Sequence, residues 1–260
     1  MTTKAPYGVL LIHGFSAKIT CISNLIEPLE SLGIPVKVPI LTGHGQTSPK
    51  SLQDVRWQDW VNDVQAALQE LLTEVNQVIV VGHSMGGLLA LYLAAECPAN
   101  IDSLVLAAAA VDIKTPLAPG HWLSWLAPLY AKVVRRKALP PIYADPTLDE
   151  IDIKYDWVPT KAIITLFTFA RLVRTRLPEV KVPTLIMQSR NDTTVPPKSA
   201  EVIYQSIKTA AEQKQIVWFD QTEHEMFCDC EKASTIAAVV DFVSDRMALR
   251  ETARSQTVSN

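Results

Sequence analysis

The sequence predicts an α/β fold with a mainly parallel sheet and helices on both faces, and three observations carry that reading. Short apolar runs rich in β-branched residues recur along the 260-residue chain. Stretches with a helical apolar period separate them. Within each run successive positions are apolar rather than alternating, as in strands covered on both faces.

Six strands are expected, at residues 7–12, 35–40, 77–82, 101–108, 183–188 and 215–219. Between the first two, Leu25, Ile26, Leu29 and Leu32 form a helical stripe that ends at Gly33, a plausible C′ glycine. Pro28 inside that stripe predicts a late helix start or a kink. Trp57, Trp60, Val61, Val64, Leu68, Leu71 and Leu72 make one continuous apolar face of an amphipathic helix. Ile236, Val239, Val240, Val243 and Met247 repeat the pattern near the C-terminus. Residues 251–260 are polar and are expected to form a disordered tail. Only six residues precede the first strand, so no leading β-hairpin is expected.

One connection breaks the rhythm. The fourth and fifth strands are separated by about 70 residues, whereas a crossover needs little more than a dozen. This insert carries Trp122, Trp125, Tyr130, Tyr143, Tyr155, Trp157, Phe167 and Phe169, and predicts helices near 119–137 and 159–176. Ligands bind at the carboxyl ends of parallel strands, so residues 112–178 are expected to form a helical cap over a pocket. A helical elaboration without function is the alternative. The core is then 1–111 with 179–250, and Trp122, Trp125 and Phe167 are candidate substrate contacts.

Composition excludes several classes. Apolar residues make up 48 % and charged residues 20 %, as in a globular protein, and the net charge of −3 lacks the basic footprint of nucleic-acid binding. No basic region followed by an apolar core and a small-residue cleavage site marks a signal peptide. The apolar stretch 77–95 is interrupted by Gly82, His83, Ser84, Gly86 and Gly87, so it reads as strand and helix, and no stable membrane insertion is expected. Cys21, Cys97, Cys228 and Cys230 are too few for a disulfide framework, and a cytoplasmic monomer or homodimer is expected. Cys228-Asp229-Cys230 is an incomplete zinc site, so neither metal nor cofactor is expected. Arg135-Arg136-Lys137 and Arg171, Arg174 and Arg176 read as solvated helix faces.

The strongest motif is Gly82-His83-Ser84-Met85-Gly86, a G-x-S-x-G between an apolar strand and a helix. A serine on so sharp a turn needs small neighbours two residues away, and the helix N-terminus beside it favours developing negative charge. Ser84 is therefore the candidate nucleophile, although a glycine-rich turn used only for packing has the same pattern.

A serine hydroxyl needs a base. Of His13, His44, His83, His121 and His224, the last follows the final strand and fits the order Ser, acid, His that accompanies this motif. His83 adjoins the serine, but successive side chains diverge. The base in turn needs a carboxylate. Asp192, in the loop after the fifth strand, is the leading choice, with Asp112 the competitor. Asp220 and Glu223 would have to fold back onto the ring. Acyl transfer also needs donors for an oxyanion. The N–H of Met85 supplies one, and Phe15, after His13 and Gly14, supplies the other.

Together these pieces resemble the α/β-hydrolase superfamily over about residues 7–247, and within it the small bacterial carboxylesterases related to monoacylglycerol lipases. The matching residues are His13-Gly14-Phe15, Gly43-His44-Gly45, Gly82 to Gly87, Asp192-x-x-Val195-Pro196 and Thr222-x-His224. The resemblance implies a cofactor-free serine esterase, with Ser84, Asp192 and His224 as triad and Phe15 and Met85 as oxyanion amides. His13 and Gly14 are expected near the substrate, an ester with an apolar acyl group. Ala17 departs from the family, which often has glycine there. A thioester, a peptide, a carbon–carbon bond or perhydrolysis are alternative uses of one triad, and a non-catalytic binding protein is another class. Epoxide and haloalkane hydrolases are disfavoured, because they use aspartate where Ser84 stands.

Overall fold

Strands buried on both faces must send successive side chains into two different cores, and the computed structural model shows that division. It describes residues 4–115, 117, 122–150 and 154–258. In chain order the elements are β1 (Ala5–Ile12), α1 (Ile26–Glu30), β2 (Val36–Lys37), α2 (Trp57–Leu71), β3 (Val75–His83), α3 (Met85–Glu96) and β4 (Ile101–Ala107). They continue with α4 (Ala127–Val133), β5 (Arg136–Ala138), β6 (Trp157–Pro159), α5 (Thr160–Arg176), β7 (Thr184–Ser189), α6 (Lys198–Ser206), β8 (Lys214–Phe219) and α7 (Lys232–Val258). Six of the strands form one sheet in the order β2-β1-β3-β4-β7-β8, every neighbouring pair parallel.

Along β1, β3, β4 and β7 the residues Leu10, Ile12, Val78, Val80, Leu104, Leu106 and Ile186 pack with α2, α3, α5 and α6. Their neighbours Val9, Leu11, Ile79, Val81, Val105, Ala107, Leu185 and Met187 pack with α1 and α7. This two-sided burial is the reason the strands read as unbroken apolar runs. The helix of the long stripe starts where Asp59 accepts the N–H of Arg56 at 2.8 Å, and its apolar face buries Trp60, Val64 and Leu68.

Three expectations change. The strand expected over 35–40 shrinks to two residues, because Pro35 and Pro39 bracket it and cannot donate to a ladder. The first helix of the insert is only Ala127–Val133, and a short antiparallel pair, β5 with β6, follows that no periodicity announced. Residues 118–121, where that helix was expected to start, lie outside the described residues, as does His121. The C-terminal segment is helical to Val258 rather than a disordered tail, its Glu, Ala, Arg and Gln being good helix formers.

The second helix of the insert packs into the core. Phe169, Ala170 and Val173 of α5 are buried in the same cluster as α2, α3 and the sheet, and the Phe169 ring stacks on Trp57 at 5.5 Å between centroids. Truncating Phe169 to alanine should therefore cost about 3–5 kcal/mol of global stability. Urea unfolding checks this, and an unchanged midpoint would show α5 to be uncoupled from the core.

Candidate active site

β3 ends and α3 begins at Ser84, whose φ of 55° and ψ of −114° lie where a residue with a side chain sits only under constraint. The constraint is backbone packing. A Cβ on Gly82 would stand 2.2 Å from the Gly86 carbonyl oxygen, and one on Gly86 would stand 2.1 Å from that of Ile12. Strand and helix thus meet main chain to main chain, and the turn joining them has to be sharp. Its geometry is pinned by the Ser84 N–H, which donates to Ala107 O at 2.9 Å, and by the Gly87 and Ala110 N–H groups, which donate to Ser84 O at 3.0 and 3.2 Å.

His224 meets the exposed face of this turn. Its Nε2 is 2.9 Å from Ser84 Oγ and its Nδ1 is 2.8 Å from Asp192 Oδ2. A carboxylate only accepts, so Nδ1 of the neutral ring carries the proton and Nε2 presents its lone pair to the hydroxyl. The His224 N–H donates to Glu223 Oε2 at 2.7 Å and to Ile142 O at 3.1 Å, which ties the loop to the insert.

Asp192 is held as tightly. Oδ1 accepts the N–H groups of Thr194 and Val195 at 2.8 and 2.7 Å, and Oδ2 also accepts from the Gln188 amide at 3.2 Å. Burial opposes its charge, yet His224 and those N–H donors keep its pKa below the ordinary carboxylate value. Burial likewise opposes the His224 imidazolium, and the Asp192 carboxylate overrides it and raises the pKa, with Glu225 and Glu223 adding to the effect. The other acids point elsewhere. Asp112 pairs with Arg174 of α5, Asp220 with Arg190 at 3.0 Å, and Glu223 accepts the N–H groups of Thr193 and His224. His83 turns away from Ser84 and donates from Nε2 to the His224 carbonyl at 2.9 Å.

The loop after β1 approaches from the other side. A Cβ on Gly14 would lie 3.2 Å from both Ser84 Cβ and His83 Nδ1, so glycine permits the loop to sit against Ser84. Met85 is the first residue of α3, and its N–H has no acceptor within the helix. Two histidines fasten the loop from beneath. His13 Nε2 accepts the Leu41 N–H at 3.2 Å and its Nδ1–H donates to Gly14 O at 2.9 Å, while His44 Nε2 accepts the Ser16 N–H at 3.1 Å. Burial lowers the pKa of both, that of His44 to about 3, so both stay neutral. Ser16, with φ 62°, is the left-handed residue of this turn, so the alanine at position 17 is accommodated.

Phe15, Ser84 and His224 line a cavity of about 250 Å³ whose remaining wall is mostly apolar: Ala110, Ile113, Leu139, Pro140, Ile142, Leu166 and Val195, with Ser16, Lys114, Thr193 and Thr194. Three expected substrate contacts are not part of it. Trp122 and Trp125 are 76 % and 70 % exposed, and Trp125 and Phe167 border a second cavity of about 200 Å³ with Leu117, Ile164 and Arg171. Adjacent helical positions diverge by about 100°. Leu166 therefore faces the Ser84 cavity and Phe167 does not. His13 is also absent from this wall; it organises the loop instead. The wall residues Ile142, Leu139 and Leu166 were not singled out from sequence, because nothing in their local pattern says which face of the insert turns inward.

A family model described as serine aminopeptidase, S33, matches residues 4–231. A thermostable monoacylglycerol lipase from Bacillus sp. (strain H-257) is 30 % identical over 239 residues, 92 % of this chain and 91 % of the relative. A carboxylesterase from Bacillus subtilis (strain 168) is 25 % identical over 237 residues, covering 91 % and 92 %. Among solved structures, a metagenome-derived lipolytic enzyme of the LipS and LipT pair superposes with a TM-score of 0.83 at 28 % identity, covering 94 % of this chain and 95 % of the other. A monoacylglycerol lipase from Paleococcus ferrophilus has the same fold, with a TM-score of 0.73 at 22 % identity and coverage of 94 % and 96 %.

The buried pair makes a prediction that needs no substrate. His224 should titrate above the 6.5 of a free imidazole. Asp192→Asn, which removes the charge that favours the imidazolium, should lower that value, and Asp112→Asn should leave it in place. An NMR titration of the imidazole reads all three. A fall in Asp112→Asn with none in Asp192→Asn would move the partner to the other loop.

Proposed function

The chain belongs to the serine aminopeptidase S33 family of α/β hydrolases, and from that premise we propose that it hydrolyses carboxylic esters through an acyl-enzyme on Ser84. The observation that carries the reading is the hydrogen-bonded line Ser84–His224–Asp192 at the floor of an apolar cavity. In the proposed cycle His224 Nε2 takes the hydroxyl proton as Ser84 Oγ attacks the ester carbonyl. Asp192 stabilises the imidazolium and keeps the ring in the tautomer the attack requires. The N–H groups of Phe15 and Met85 are assigned to the oxyanion, the second at a helix N-terminus where the dipole assists. His224 returns the proton to the leaving alcohol, and a water activated by the same ring then releases the acid.

The cavity wall favours an ester over an N-terminal peptide. An aminopeptidase has to hold its substrate's ammonium group, and no described lining residue is acidic, while Lys114 is cationic. The volume, about 250 Å³, falls just under the roughly 300–1,000 Å³ usual for small-molecule sites. It suits one short or medium acyl chain better than a triacylglycerol, in keeping with the relative named as a monoacylglycerol lipase. None of the described helices is long and apolar enough to cross a membrane, and the four cysteines are unpaired. A reducing, cytoplasmic setting, a monomer or homodimer, and no nucleic-acid partner complete the proposal.

Hydrolysis of p-nitrophenyl esters from acetate to palmitate tests it. Ser84→Ala should lower kcat on the order of 10⁴-fold or more, and Asp192→Asn by about 10⁴-fold, with Asp112→Asn near wild type. Only neutral His224 accepts the proton, so activity should fall as pH drops through its raised pKa. No turnover of any ester by the folded wild type would end the esterase reading. Leu166→Trp narrows the cavity and should shift the preference to shorter chains; an unchanged chain-length profile would place the acyl group elsewhere.

A further inference from the structure

A buried polar cluster that includes chain neighbours of Ser84 and His224, and whose residues are not among those lining the cavity, is not used by the proposed cycle. Cys21 Sγ, a ring nitrogen of His83 and a carboxylate oxygen of Glu225 all fall within 4.8 Å of one another, and all three residues are buried. His83 Nδ1 and Glu225 Oε2 face each other across 4.0 Å, and neither has a hydrogen-bond partner. The orphan nitrogen is an acceptor. Nε2 of His83 lies 2.9 Å from the His224 carbonyl, which only accepts, so Nε2 carries the proton and Nδ1 keeps its lone pair. Burial, reinforced by the nearby His224, depresses the His83 pKa to about 3, which keeps the ring neutral. Burial pushes the Glu225 carboxyl up to about 7 and keeps the Cys21 thiol protonated, yet across 4.0 Å neither His83 Nδ1 nor Glu225 Oε2 makes a hydrogen bond. Buried polar atoms left in that state call for a specific explanation.

We propose that Cys21, His83 and Glu225 form a binding site for one thiophilic divalent cation of the Zn²⁺ class. A thiolate, an imidazole nitrogen and a carboxylate oxygen are the donor types zinc takes, and three protein ligands leave the fourth tetrahedral position to water. A ligand bond of about 2.0–2.2 Å to nitrogen or oxygen places those two atoms ~3.4 Å apart, so the His83–Glu225 gap has to close by about 0.6 Å. The orientation of His83 fits. A metal-bound histidine almost always donates its other N–H to a carboxylate, carbonyl or water, and His83 donates to a main-chain carbonyl. Coordination breaks the Cys21 S–H bond and forms the metal–sulfur bond, with the proton passing to solvent.

The three ligands come from three separate segments of the chain. Glu225 follows the candidate base, His83 ends β3 and precedes the candidate nucleophile, and Cys21 lies against the backbone of Gly14 in the oxyanion loop. An ion there would draw the three segments toward one point. The spacing 21, 83 and 225 matches no contiguous zinc pattern, and Cys228-Asp229-Cys230, the pair visible in sequence, is not part of the cluster.

The test does not depend on the esterase reading. Co²⁺ titrated into full-length, chelator-treated protein should give one equivalent of a tetrahedral spectrum with a thiolate-to-cobalt charge-transfer band, which Zn²⁺ then abolishes. Cys21→Ser should lose the charge-transfer band, and Glu225→Gln should weaken binding at least 10-fold. A Cys228→Ser, Cys230→Ser double variant should behave as wild type. Zn²⁺ should also raise the Tm of the wild type and leave that of Glu225→Gln unmoved. Absence of the band in the wild type would overturn the proposal and assign the missing donor to a proton on Glu225. So would a band that survives in Cys21→Ser and vanishes in the double variant, a result that also covers the case in which Glu225→Gln does not fold.

Discussion

The close approach of α3 to the end of β1 imposes the conformation on which the site depends. Gly86 lets the helix rest on the Ile12 carbonyl, and Gly82 lets the strand pass beneath the first turn of that helix. With those clearances set, Ser84 has no conventional backbone angles available and takes φ 55°. Strain of this kind costs on the order of 1–3 kcal/mol and persists only where its surroundings over-determine it. Here the end of β4 and the segment just after it supply that support, through Ala107 O and Ala110 N–H, and β4 lies at the centre of a sheet buried on both faces. The large apolar core therefore serves local geometry as well as stability, holding one side chain where relaxation would withdraw it.

The second requirement is electrostatic. A carboxylate and an imidazole buried together each lose hydration, and the cost is met only if every lone pair is used. Asp192 meets it with two main-chain N–H groups, an amide and the His224 ring. The same economy extends outward. Glu223 accepts the N–H groups of Thr193 and His224, and Asp229 accepts those of Ala144, Asp145, Glu223 and Cys230. Glu223 and Asp229 thus hydrogen-bond to the loop that carries His224 rather than to its ring. This explains why nearness along the chain does not decide which carboxylate bonds to the His224 ring, which is that of Asp192 from a separate loop.

Legibility followed the range of each constraint. The strands, α2 and the serine turn were readable because their determinants are local: an apolar run, a 3.6-residue stripe, two glycines at fixed offsets. His224 and Asp192 were reachable because parallel topology delivers their loops to one sheet edge. The insert was not readable in the same way. Its aromatic residues announced burial somewhere, but Phe169 went to the core, Phe167 to the second cavity and Trp122 and Trp125 to the surface. A helix packed between a core and a cavity buries more than one face, so aromatic content alone does not reveal which residue meets a ligand. His13 and His44 were visible as motif residues, while their task of fastening the loop from below rests on bonds to Leu41 and Ser16 that only the folded chain displays.

The same distinction separates what this site can vary from what it cannot. The atoms assigned to bond making in the proposed cycle hang from main chain: Ser84 from a turn between glycines, His224 from a loop whose N–H groups end on Ile142, Asp192 from a loop whose N–H groups it accepts itself. A substitution among them disturbs backbone that several elements share. The acyl wall is different. Ile113, Leu139, Pro140, Ile142 and Leu166 all come from the insert, and of these Ile142 also accepts the N–H groups of His224 and Glu225 through its carbonyl. Exchanging one apolar side chain for another of similar volume there costs under about 1.5 kcal/mol and leaves the strained turn untouched. In the proposed cycle, chemistry and specificity therefore fall on parts of the chain that answer to different physical constraints, and wall residues other than Ile142 can be exchanged while the backbone around Ser84 stays fixed.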